Sequence, residues 1–280
     1  MSPSASKPVV EEKPARRPNT IDGLLSHLHR CLETRAGADV VLLFLCYASR
    51  LGGSLLEALS RPILRHSARR FVAAAFKLPP AATVVLSATA PQPPMAVSAL
   101  RLGRRLKALS AMISETRTVG RLWGLLGLYF AAKRLVLRSC DGGDDDDDDA
   151  FFDVGLAYAQ IASLIVFQAA ENVAFLSSKA VLPYPPVTQA RLALLSVRAW
   201  GLYIGMELAR LLVDRSRKPL CSSDAKSAIG WRKSFWRNMA WAPLTAHWGT
   251  PTGLLPDLAV SLLAAYPATG SMVDLWRETA

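Results

Sequence analysis

Past residue 60 the apolar positions fall into a helical rhythm. After Pro62, residues Leu64, Ala68, Phe71, Ala75 and Leu78 recur at i, i+4, i+7, i+11 and i+14. That spacing lays one apolar stripe along a helix of 3.6 residues per turn. Arg65, Arg69, Arg70 and Lys77 fall off the stripe, so the predicted helix, started by Pro62, carries a cationic back. The rhythm returns near Ser98, where Leu102, Leu106, Leu109 and Ile113 make a second stripe with Arg101, Arg104 and Lys107 on the opposite arc. Pro79, Pro80, Pro91, Pro93 and Pro94 bracket a loop between the two, because proline forbids a continuous helix there. Residues 119–137 are then apolar nearly all round, with Arg121 before them and Lys133, Arg134 and Arg138 at their end.

Longer apolar runs raise the question of a bilayer, whose hydrocarbon core takes about 20 apolar residues of helix to cross. Residues 154–170 hold no charge, and past Glu171 and Asn172 the apolar run resumes through Val173 to Leu176. This is the first candidate span. Residues 254–273 carry only Asp257, with Pro256 and Pro267 expected to kink that segment or make it re-enter. Residues 40–49 are too short alone, and residues 191–213 are interrupted by Arg198, Glu207 and Arg210. Both are expected to pack against protein or sit half-sunk in lipid.

Composition sharpens the picture. With 33 Lys+Arg against 22 Asp+Glu the formal charge is +11, while 51% of residues are hydrophobic and 20% charged, which excludes disorder for most of the chain. Residues 61–138 hold fourteen Lys/Arg and one acid, Glu115, so the excess charge sits where the amphipathic stripes are. A basic amphipathic helix lies in the plane of an anionic membrane with its apolar side chains in the acyl boundary, and such a wedge bends the leaflet it enters. Leu102, Leu106, Leu109, Ile113, Leu64 and Phe71 are the membrane-inserting candidates, and Arg101, Arg104, Lys107, Arg65 and Arg69 the headgroup cations. Five of seven tryptophans lie in the last fifty residues, the first three interleaved with Arg232, Lys233 and Arg237, a combination suited to the headgroup layer. A soluble all-α bundle is the rival arrangement.

No chemistry emerges from the polar residues. Cys31, Cys46, Cys140 and Cys221 match no metal or disulfide spacing and are read as free thiols. His27 and His29 point to different helix faces, and no further metal ligands join them. The run Asp144 to Asp149 lacks the spaced ligands of a calcium loop and reads as a linker. No phosphate loop, nucleophile elbow or nucleic-acid motif is present, so the chain is expected to be a non-enzyme without cofactor, metal, nucleic-acid partner or identified small-molecule substrate. Gly120-x-x-x-Gly124 and Gly201-x-x-x-Gly205 are small-residue spacings, with Gly201 and Gly205 expected to pack helices closely.

Several segments together resemble the peroxin-eleven family of peroxisomal membrane proteins, most closely its fungal C-type branch. They are residues 113–135 (ISETRTVGRLWGLLGLYFAAKRL), 158–182 (YAQIASLIVFQAAENVAFLSSKAVL), 200–211 (WGLYIGMELARL) and 231–280, with the ENVAFL block at 171–176 and the RNMAWAPL block at 237–244 the most specific. The resemblance implies an integral peroxisomal membrane protein with cytosolic termini that binds and curves the cytosolic leaflet to elongate the organelle before division. It also implies self-association and contact with a dynamin-related GTPase and its tail-anchored adaptor. A metabolite channel is the alternative, with Arg198, Glu207 and Arg210 lining a wet path.

The expected fold is all-α: an integral membrane protein with basic amphipathic interfacial helices and one or two spanning or re-entrant helices. Its expected organisation is a disordered arm over 1–20, a basic helical region over 21–138, an aspartate-rich linker over 139–150 and an apolar, tryptophan-rich helical region over 151–280.

Overall fold

A computed structural model describes residues 20–77, 93–141, 148–217 and 225–280. The N-terminal arm, the proline loop before Pro93, most of the aspartate run and Cys221 lie outside the described residues. Among those described, the regular structure is entirely α-helical: α1 (Thr20–Leu32), α2 (Arg35–Ala75), α3 (Pro94–Arg121), α4 (Gly124–Asp141), α5 (Asp148–Ser178), α6 (Pro186–Arg217), α7 (Ala225–Trp248) and α8 (Asp257–Glu278). The all-α expectation holds.

Four of these helices are long and apolar enough to cross a membrane: Arg35–Ala74, Asp153–Ser178, Pro186–Arg217 and Asp257–Glu278. In sequence, residues 40–49 of the first are too short alone, and the third is interrupted by Arg198, Glu207 and Arg210. Charges in both helices are matched in the fold. Arg50 Nη2 donates to Asp257 Oδ1 at 2.9 Å, and Arg210 grips Glu207 with two hydrogen bonds of 2.6 and 2.9 Å. A charge met by its opposite costs far less inside an apolar helix than hydropathy alone implies.

Pro62 does not start a helix, as the stripe suggested. It lies inside α2, which begins upstream where Thr34 Oγ1 accepts from the Gly37 N–H at 3.0 Å. Pro62 therefore removes one hydrogen bond from a 41-residue helix. Pro94, by contrast, sits at the first position of α3, where its missing N–H costs nothing. The apolar stretch 119–137 is split at Leu122 and Trp123, and Asn172 of α5 donates to the freed Leu122 carbonyl at 3.2 Å. α8 runs through the buried Pro267 as one continuous helix.

α2 and α3 pack antiparallel in one register. Gly53 faces Gly103, Cys46 bonds Ser110 and Asp39 bonds Arg117. α8 lies along the same part of α2, with Ser54 Oγ bonded to both Asp257 and Ser261. The deepest core is Leu244, Val260 and Ala264, wrapped by Tyr47, Trp241, Trp248, Leu255 and Leu263. Trp241 and Trp248 thus belong to the α7 inner face, seven residues apart and two turns along it, and not to a headgroup layer. Trp276 is also engaged, its ring stacked on His27 at 3.8 Å, while Trp236 stays half-exposed.

Candidate membrane-binding surface

The α2–α3 register decides which part of the basic region is free. Extending the pairing of 53 with 103, 46 with 110 and 39 with 117 sets Pro94, the first residue of α3, level with Pro62. α8 starts at the level of Ser54. Residues 63–77 therefore project beyond both neighbours, about 22 Å of helix at 1.5 Å per residue.

This tail is amphipathic. Ile63 (51% exposed), Phe71 (37%) and Val72 (50%) share an arc with the half-buried Leu64. Arg65, Arg69, Arg70 and Lys77 occupy the other arc, all exposed. The whole of α2 is about 60 Å long, twice a bilayer's hydrocarbon thickness, so a spanning first half leaves the tail outside.

The second predicted stripe is divided. Leu102 and Leu109 are exposed, as are Arg101 and Arg104. Ile113, however, is 8% exposed and Leu106 is half-buried beside Gly52. These two turn toward the seam with α2. The seam is built on Ala96, Gly103 and Ser110, small residues that a count of leucines passes over. Moreover, two helices in antiparallel register share one orientation, so α3 cannot lie flat in a bilayer that α2 crosses. Its exposed Arg105 and Met112, and Trp123 and Leu126 at the start of α4, extend the mixed apolar and cationic surface.

Lys107, a headgroup candidate in sequence, is engaged by two carboxylates. Its Nζ donates to Glu57 Oε2 at 2.9 Å and to Asp257 Oδ2 at 2.6 Å, joining α3 to α2 and α8. Partial burial works against the ammonium, but the hydrogen bonds to Asp257 and Glu57 outweigh it and hold the Lys107 pKa above its ordinary value. Arg121 is fixed in the same way. Burial opposes its charge, and paired bonds of 2.6 and 2.9 Å to Glu171 more than restore it. One signal for this seam was readable: Asp257 is a lone acid in an apolar run, and such a residue calls for a partner.

The packing glycines are redistributed too. A side chain on Gly201 would meet Thr245 of α7 at 3.1 Å, as expected of a close approach, but nothing lies within 4 Å of Gly205 or Gly120. At the α2–α3 seam Gly53 meets the Gly103 carbonyl, where an added Cβ would sit at 2.7 Å, and one on Gly124 would sit as close, 2.7 Å from Gln168 Oε1 of α5.

A cavity of about 760 Å³ separates the α2–α3 pair from α5, α6 and α7. Tyr47, Phe167, Trp200 and Trp241 line it together with Arg50, Lys107, Arg117 and Arg121. Arg117 donates twice to Asp39, at 2.9 and 3.1 Å, so this cationic lining is paired as well as charged. The residues proposed in sequence for a wet path lie elsewhere. Arg198 donates to the Gly249 carbonyl at 3.0 Å, and Glu207 and Arg210 bind each other.

No protein-family model, no curated protein and no solved structure matches this chain.

Proposed function

We propose that this chain is an integral membrane protein that binds and curves the cytosolic leaflet of peroxisomes, elongating them and promoting their division without catalysing a reaction. The observation that carries the curvature reading is the α2 tail: fifteen residues past Pro62 with an exposed apolar arc, a cationic arc and, among the described residues, no neighbour in register. Each of its cations gains about 1 kcal/mol near an anionic surface. Pro62, where the backbone ladder lacks a bond, is the natural point for the tail to turn into the leaflet plane. The peroxisomal location, self-association and the fission GTPase with its adaptor are carried by the family resemblance.

The reading fixes a sidedness. His27 Nε2 lies 2.9 Å from the Trp276 carbonyl, so both ends of the described chain meet at the N-terminal end of α2, opposite the tail. A cytosolic tail and cytosolic termini therefore exclude each other if α2 crosses. We keep the tail in the cytosolic leaflet, because a wedge bends a membrane toward the side it enters, and give up cytosolic termini.

The test is tubulation of anionic vesicles by the full chain. Leu64→Glu combined with Phe71→Glu should abolish it while the protein still inserts. A double variant that tubulates as before overturns the assignment. The second reading, a channel, draws support from the cations that line the central cavity. Ion selectivity in planar bilayers that shifts with Arg117→Glu would favour it over curvature.

A further inference from the structure

At the end of α8 away from the tail, α7 and α8 enclose a groove of about 520 Å³ whose two ends differ in chemistry. Its upper end is cationic. Lys233 and Arg237, one turn apart on α7, both donate to Asp274, the Lys233 bond measuring 2.7 Å, and the exposed Arg277 adds a third cation. One carboxylate thus binds two cations, with Arg277 lining the same groove. Below them the groove is apolar, floored by Leu262, Tyr266 and Val273, which stand 50%, 55% and 41% exposed at i, i+4 and i+11 on one face of α8. Leu51 of α2 closes its deep end. Gly270 keeps the cationic end open, because a side chain there would lie 3.0 Å from the Arg237 guanidinium.

Length agrees with chemistry. From Asp274 down to Leu262 is twelve residues of helix, about 18 Å, close to the roughly 15 Å that one leaflet's hydrocarbon occupies. Cations at a helix end over an apolar track one leaflet deep match the shape of a lipid with its charged head in the interface.

We infer that this groove binds one anionic glycerophospholipid, its phosphate on Lys233, Arg237 and Arg277 and an acyl chain along Val273, Tyr266 and Leu262. The inference rests on the part of the reading above in which α8 crosses the bilayer, and is independent of curvature by the α2 tail. Asp274 sets the strength of the site, since it competes with the lipid phosphate for the same cations.

The competition gives the test two directions. Full-length protein is reconstituted in phosphatidylcholine with a minor share of phosphatidic acid, re-extracted in mild detergent, and its retained lipid counted by native mass spectrometry. Lys233→Gln with Arg237→Gln should lower phosphatidic acid retention by about five-fold for each cation removed. Asp274→Asn should raise it. A merely structural ion pair predicts instead that all these variants weaken the fold together and lower retention together, which would overturn the site. Water-soluble glycerol phosphate should fail to displace the lipid, and displacement would overturn the role of the apolar track. Carbonate resistance is read on the same samples. Unchanged retention by the double variant in a resistant chain overturns the groove alone, whereas release of the wild-type chain overturns the membrane reading and the groove with it.

Discussion

Lys107 of α3 donates to Asp257 in the first turn of α8 across 2.6 Å, although the two residues are 150 positions apart. The same carboxylate accepts from Arg50 and Ser54, so one acid fastens α2, α3 and α8 at a single level. The basic region and the apolar C-terminal region therefore pack directly against each other at this level.

Replacing Asp257 by Ala should loosen all three helices at once. Because Asp257 and its partners are partly exposed, solvent screening limits each lost pair to about 1 kcal/mol or less. The expected result is a lower melting temperature in detergent, with Lys107→Gln showing a smaller loss and the double variant showing less than the sum.

The raised pKa of Lys107 gives that loss a pH signature. A cation held above its ordinary value contributes fully below about pH 10.4 and loses its contribution as pH rises through the higher folded value. The melting difference between wild type and Lys107→Gln should stay constant from neutrality to mild alkali and shrink only in strong alkali. A difference that vanishes near neutral pH would show that the ammonium is not the group responsible.

Gly53→Ala should cost about 1–3 kcal/mol, since the new methyl would lie 2.7 Å from the Gly103 carbonyl oxygen and 2.8 Å from Lys107 Cγ. Gly205→Ala, with open space around it, should be neutral or stabilising. Thermal melts of the two variants side by side separate packing glycines from incidental ones.

Ile113 and Leu102 were grouped in one stripe but should respond in opposite ways. Ile113→Ala removes a buried side chain and should destabilise by about 2–5 kcal/mol. Leu102→Ala, half-exposed, should leave the melt nearly unchanged and act, if at all, on vesicle binding. Equal destabilisation would mean that Leu102 is covered by protein.

Pro62→Ala restores a hydrogen bond inside α2 and should stiffen the helix by about 3 kcal/mol locally. If the tail must bend to reach the leaflet, this stabilised variant tubulates vesicles less. Undiminished tubulation would remove Pro62 from the mechanism.

What the sequence determined by itself was the material of the helices: their class, the amphipathic tail with Leu64, Phe71, Arg65 and Arg69, and the apolar runs of α5 and α8. These depend on periodicity along one chain, which spacing records directly. Only the tertiary structure decided which stripes are covered. Ile113 and Lys107 turn inward because Gly53, Gly103 and Ser110 let two backbones approach, and because Glu57 and Asp257 offer Lys107 its counter-charges. The same holds for α6, whose internal charges hide its apolar character until the partner is in place, and for α2, whose apolar run reads as too short alone. A helix's exposed face is a property of its neighbours, and neighbours separated by a hundred residues leave no mark in local spacing.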